Sequence, residues 1–369
     1  MDSRISNLRL LRSQANAITF NHADRDIFKS ELINITDQIL AVNYKVDTAP
    51  FLPDEFLLSV DIATTWLSLL LNSNAYRLNA EMSFCIEQMI ERWNTQVRQK
   101  CVVFTVGTYG LIVLKRSLFM DTLNILSHRT GVELSKEPVF VRVPDETKDY
   151  MICNLILFHE VGHFVERDSD IAEAVYIELE KQLLKPGSKI IRIFFPRYNG
   201  LDISTDNNAK KIIHSFIEEY IADIFGAQYA HEHILCYLSY LKAKTLDKDD
   251  DEHPSYLCRY QMVDDFLNSR GDNYLLNAII QYMPSLNIVH CPFSENDLRD
   301  TNLQFADIDQ LFCSFASCWR IVLEEACNNG IRRESKENYK EILALPIYNE
   351  LDANLKRATN DLIRRLYNN

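Results

Sequence analysis

Residues 159–163 read His-Glu-Val-Gly-His. On a helix, positions i and i+4 lie one above the other, so His159 and His163 present two imidazoles on one face with Glu160 beside them. Two such nitrogens suit a divalent cation, zinc above all. The neighbouring glutamate suits a general base that takes a proton from a water the cation activates. That combination is the chemistry of amide hydrolysis. The same residues also fit a plain helix in which two half-buried histidines meet backbone or carboxylate partners.

A catalytic zinc site needs a third protein ligand and an open position. In the stretch 217–227, Ile-Glu-Glu-Tyr-Ile-Ala-Asp-Ile-Phe-Gly-Ala, the helical period carries Glu219 and Asp223 on one face, continuing Ile212 and Phe216. Glu219 is the expected ligand, with Glu218 as the substitute if the register is off by one. Asp223 is expected to accept the second ring N–H of a ligating histidine, His159 first, fixing its tautomer. Gly162, Ala222 and Gly226 leave room for the two helices to approach closely. An ordinary amphipathic helix with two surface glutamates is the other reading of this stretch.

A third element opens at His253-Pro-Ser-Tyr-Leu-Cys-Arg259 and runs to Leu267. Pro254 suits the first position of a helix. His253, at the entrance, suits polarising a substrate carbonyl or steadying an oxyanion, and Arg259 suits bracing Asp223 or the site wall. A capping histidine and a surface arginine account for the same residues without chemistry.

Taken in order, His159-Glu-x-x-His163, Glu219-x-x-Ala-Asp223 and His253-Pro-Ser…Arg259 resemble the gluzincin metallopeptidases. The branch most similar is peptidase family M48, which includes the CAAX-prenyl endopeptidase and HtpX-type enzymes. The similarity covers about residues 136–265. It implies zinc held by His159, His163 and Glu219, and Glu160 as the residue that activates water. It also implies a strand before the metal helix, here Val139–Val143, pairing with an extended substrate; a buried strand with no substrate role fits equally. Members of that branch are usually embedded in membranes, which this chain is not expected to be. The Gly-x-Met-Glu-Asn motif of aminopeptidases is absent, so the resemblance points to an endopeptidase. Regulatory peptidases of the ImmA/IrrE type, which cleave one partner protein, are a rival template. A helical interaction protein with a structural zinc site is the reading from another class.

The surrounding elements must hold these groups. Tyr150–Phe158 is apolar nearly all round, which describes a buried helix, with Asp145 or Thr147 as its N-cap. Residues 1–100 read as helices interrupted at Pro50 and Pro53. Cys101–Leu114 is β-rich, with Gly107 and Gly110 flanking a hairpin turn. A helix near 170–185 and a strand, Lys189–Phe195, lie between the ligand helices and suit walling a cleft. Asp247–Glu252 is an acidic loop. Residues 266–369 return to helices, including Ile308–Asn328 and Lys336–Tyr367. The expected fold is α+β and mostly helical, a zincin-like metallopeptidase core at 101–265 between helical regions 1–100 and 266–369.

The 369 residues are 47% hydrophobic and 25% charged, as in ordinary globular proteins, with a formal net charge of −13. That acidity argues against nucleic acid as a main partner. Apolar stretches such as Phe56–Leu71, broken by Asp61, are read as too short or interrupted for a membrane span. Nine scattered cysteines without Cys-x-x-Cys pairs favour reduced thiols in a cytoplasmic protein. Cys313 and Cys318 do not share a helix face well. His231-Glu-His233 reads as a solvated face. The expected partner is a protein or peptide substrate; sequence leaves the oligomeric state open.

Overall fold

The computed structural model describes residues 3–20, 23–42, 53–75, 80–93, 100–108, 117–144, 149–183, 185, 188–199, 205–235, 253–331 and 336–367. The chain divides into two compact units, Met1–Asp149 and Tyr150–Asn369. This boundary differs from the expected division at 100 and 265: the β-rich segment belongs with the first unit and the C-terminal helices with the second.

In the first unit, helices α1 (Ser3–Ala17), α2 (Ala23–Ala41), α3 (Pro53–Ala75) and α4 (Ala80–Trp93) precede strand β1 (Lys100–Thr108), helix α5 (Ser117–Thr130) and strand β2 (Lys136–Pro144). Pro53 begins α3, where its missing N–H is an orphan donor in any case. The far arm of the expected hairpin falls outside the described residues, and the partner that β1 has among them is β2. The two pair in parallel, in register from Lys100–Lys136 to Thr108–Pro144. A parallel pair needs a long crossover, and α5 lies on it. Residues 109–116, which include Gly110, lie outside the described residues. Val102, Val103 and Phe104 are all buried, as expected of a parallel strand covered on both faces. Phe28, Trp66 and Phe104 form the aromatic centre of this core.

Helix α3 qualifies the reading of the apolar stretches. Asp54–Ser73 is long and apolar enough to cross a bilayer by length and composition. Its Phe56, Val60, Ala63, Trp66, Leu67 and Leu70 are core residues of the first unit.

In the second unit, a 3-10 turn (Ile152–Leu155) runs into α6 (Ile156–Ser169), followed by α7 (Ile171–Leu183), α8 (Lys189–Phe194) and α9 (Asn207–Ala230). Then come α10 (Tyr256–Leu267), α11 (Tyr274–Tyr282), α12 (Glu295–Arg299), α13 (Ile308–Asn328), α14 (Lys336–Leu343) and α15 (Pro346–Tyr367). Among its described residues this unit has no strand. Lys189–Phe195, expected as a strand, is helical because Ile190, Ile191 and Phe194 bury at helical and not alternating spacing. The run expected at Lys336–Tyr367 is two helices, since Pro346 starts the second.

The expected caps Asp145 and Thr147 lie outside the described residues. The buried segment ahead of α6 starts later, and its amides find partners far along the chain. Asp352 Oδ1 on α15 accepts from Met151 N at 2.6 Å and Ile152 N at 3.0 Å, and Tyr348 Oη from Cys153 N at 3.2 Å. His231–Leu235 is a 3-10 turn in which Glu232 faces solvent as expected, whereas His233, Ile234 and Leu235 are buried. His231 Nε2 lies 3.1 Å from Val289 O, and His233 is buried. Cys313 and Cys318 both lie buried on α13.

Candidate metal centre

Helices α6 and α9 cross at closest approach where their side chains are smallest. A Cβ on Gly162 would lie 2.7 Å from Ala222 Cα, and one on Gly226 would lie 3.3 Å from His159 N. That proximity sets the His159–His163 face of α6 against the Glu219–Asp223 face of α9.

His159, His163 and Glu219 are all buried, and one potential ligand atom from each lies within 4.8 Å of the other two. Glu219 Oε1 is 3.2 Å from His163 Nε2, and Oε2 is 3.6 Å from His159 Nε2. Ligands about 2.0–2.1 Å from a tetrahedral cation stand roughly 3.3–3.4 Å apart, which these two separations bracket. Two imidazoles and one carboxylate are also the donor set that zinc accepts, so the residues fit a divalent cation. Glu219 Oε2 supports that fit: it is buried and lacks an aligned hydrogen bond, although Arg259 Nη1 lies 3.1 Å away.

Behind His159, His163 and Glu219 runs a chain of charge. Arg259 grips Asp223 with both arms, Nε to Oδ2 at 2.7 Å and Nη2 to Oδ1 at 2.6 Å. Asp223 Oδ1 in turn lies 2.9 Å from His159 Nδ1, which turns His159 Nε2 toward Glu219. This places Asp223 and Arg259 where the sequence put them and adds the contact from Arg259 to Glu219, which no local pattern signals. The Nδ1 atoms of His159 and His163 are both buried without an aligned hydrogen bond, but only that of His159 has a carboxylate this close.

Burial alone would raise both α9 carboxyls. Arg259 and the histidines outweigh it, holding Glu219 well below the usual carboxylate value and Asp223 below its own. Burial lowers the His159 pKa against the pull of Asp223. Burial also opposes charging of His163, but its bond to Glu219 prevails and raises the value. Glu160, buried on α6 without a bonded cation, is pushed up to about 7 by desolvation, with Glu219 adding to the rise.

His253 sits at the margin, its side chain 36% exposed and its Nε2 3.9 Å from Glu219 Oε1. Pro254 is not the first helical residue as expected. Ser255 is the N-cap of α10, its hydroxyl accepting from Cys258 N, so the helix starts two residues after Pro254. Glu218, the substitute ligand, points elsewhere: it pairs with His214 Nδ1 at 3.2 Å and Arg167 at 3.7 Å. Asp247–Glu252 lies outside the described residues. Strand β2, expected to pair with substrate, forms as a strand but belongs to the first unit, whereas every residue of this centre belongs to the second.

Comparison with known proteins adds no template: no family model, no curated protein and no solved structure matches the chain.

Proposed function

We propose that the Tyr150–Asn369 unit is a zinc-dependent endopeptidase that hydrolyses peptide bonds in a protein or peptide substrate. The convergence of His159, His163 and Glu219, with Glu160 on the same helix, carries this reading. The resemblance to gluzincin peptidases in the three motifs and their order supports it. A divalent cation held by these three residues supplies Lewis-acid polarisation of the scissile carbonyl and makes a nearby water easier to deprotonate.

The chain's own groups do the rest. Glu160 Oε takes the proton from the attacking water and hands it to the leaving amine, a task its place beside His159 on the same helix suits. Asp223, clamped by Arg259, holds His159 in one ring orientation and one tautomer. His253, half-buried at the margin, donates to the carbonyl oxygen as it gains charge.

The test is Glu160→Gln. The variant is expected to keep its fold and its metal, measured by elemental analysis, and to lose peptide hydrolysis by at least about a hundredfold. A chain that binds zinc yet shows no Glu160-dependent hydrolysis of any protein or peptide offered would be a structural zinc protein instead.

A further inference from the structure

Helix α10 turns one face to the candidate metal centre through Arg259 and another to a separate cavity. Gln261 and Asp265 lie about 200–240° round the helix from Arg259. Both line a hollow of about 360 Å³ between α8, α10 and the start of α11. That volume is at the small end of the roughly 300–1,000 Å³ usual for small-molecule sites. Ile190, Ile193 and Phe194 of α8 give it an apolar side. Cys258 Sγ donates to Ile193 O at 3.3 Å and so ties α8 to α10.

The polar lining divides into a fixed part and an exchangeable part. Asp265 is buried and committed within the fold. Its Oδ1 accepts from Gln261 Nε2 at 2.7 Å, its Oδ2 accepts from Asn273 Nδ2 at 2.8 Å, and Arg270 Nη1 stands 3.4 Å from Oδ1. Arg270 Nη2 is held by Asp264 at 2.8 Å. Lys189 and Asp272 differ from these. Both line the hollow, both are exposed, and they pair with each other at 3.2 Å. An exposed pair of this kind contributes little to stability, so a ligand can part it at small cost. A ligand carrying both charges gives each side chain a new partner, whereas one carrying a single charge leaves the other side chain alone.

We propose that this hollow binds a short zwitterionic peptide, a dipeptide with apolar side chains and both ends free. The ligand's carboxylate takes the Lys189 ammonium, and its own ammonium takes the Asp272 carboxylate. One of its side chains lies on Ile190, Ile193 and Phe194, which removes apolar surface from water and favours leucine or phenylalanine there over glycine. Binding in the hollow needs no metal and none of the residues assigned to hydrolysis.

The test is isothermal titration of the full chain with L-leucyl-L-leucine. Saturable binding with a Kd below about 1 mM is expected, unchanged by a metal chelator. Acetylating the amine or amidating the carboxylate should each weaken binding about tenfold, and glycylglycine should also bind more weakly than leucyl-leucine. Lys189→Gln should weaken the free dipeptide about tenfold and leave the amidated one unchanged, because that form has no carboxylate to lose. Asp272→Asn should likewise weaken the free dipeptide and leave the acetylated one unchanged. Both side chains are exposed, so neither substitution threatens the fold. No saturable binding, binding lost with the metal, or binding that neither variant weakens overturns the proposal.

Discussion

Arg259 binds both carboxylate oxygens of Asp223, at 2.7 and 2.6 Å, and both side chains are buried. The pair is the support on which His159 rests, because the same Asp223 Oδ1 lies 2.9 Å from His159 Nδ1. A buried ion pair is costly to break from one side, since the surviving charge is stranded.

Arg259→Met is therefore expected to destabilise the second unit by about 3–5 kcal/mol, seen as an earlier urea midpoint. Asp223→Asn keeps the shape but removes the charge that steadies His159. Zinc affinity, followed by competition with a chromophoric chelator, should weaken about 10- to 100-fold. An unchanged affinity would show that His159 needs no such support.

Gly162→Ala tests the helix crossing. The new Cβ would meet Ala222 Cα at 2.7 Å and Ala222 O at 3.0 Å, backbone atoms that cannot rotate away. The helices must separate, at about 1–3 kcal/mol, and the His163–Glu219 separation should grow with them. Both a lower urea midpoint and a weaker zinc affinity are expected.

Asp352→Ala removes the acceptor for two buried amides, those of Met151 and Ile152. Each donor left without a partner costs about 1–3 kcal/mol. Hydrogen exchange at the start of the 3-10 turn should accelerate in this variant. Unchanged protection there would mean that another group caps the segment.

The first unit has its own pH signature. Glu87 on α4 is buried, and burial raises its pKa to about 7 against the opposing pull of Arg25, 3.7 Å away, and a bond from the Val103 N–H; Glu91 and Asp24 add to the rise. The folded state thus holds this proton more tightly than the unfolded chain does. The associated stability is full below the ordinary carboxylate range and is lost as pH rises toward 7, by at most about 3 kcal/mol. Glu87→Gln should flatten that part of the pH–stability curve. A variant curve parallel to the unsubstituted one would refute the assignment.

The candidate metal site was readable because its geometry is local. Four-residue spacing on two helices, with glycine and alanine between them, is enough to oppose His159 and His163 to Glu219 and Asp223. What lay hidden depends on distant partners. Lys189–Phe194 is rich in isoleucine and phenylalanine, which suit a strand, yet Tyr220 Oη donates to Phe194 O at 2.6 Å and the apolar side chains pack as a helix. The partner of β1 among the described residues lies beyond α5, at a distance that no local pattern of glycines signals. Asp352 lies some two hundred positions from the amides it caps, so no window of sequence around residue 151 could reveal it.

The central claim is that His159, His163 and Glu219 form one divalent-cation site. It is tested most directly by elemental analysis of the purified full chain, alongside His163→Ala and Glu219→Ala. The account predicts about one zinc per chain in the unsubstituted protein and loss of that zinc in both variants with the fold retained. Zinc absent from the unsubstituted protein even after exchange with excess metal, or retained in full by both variants, would contradict it.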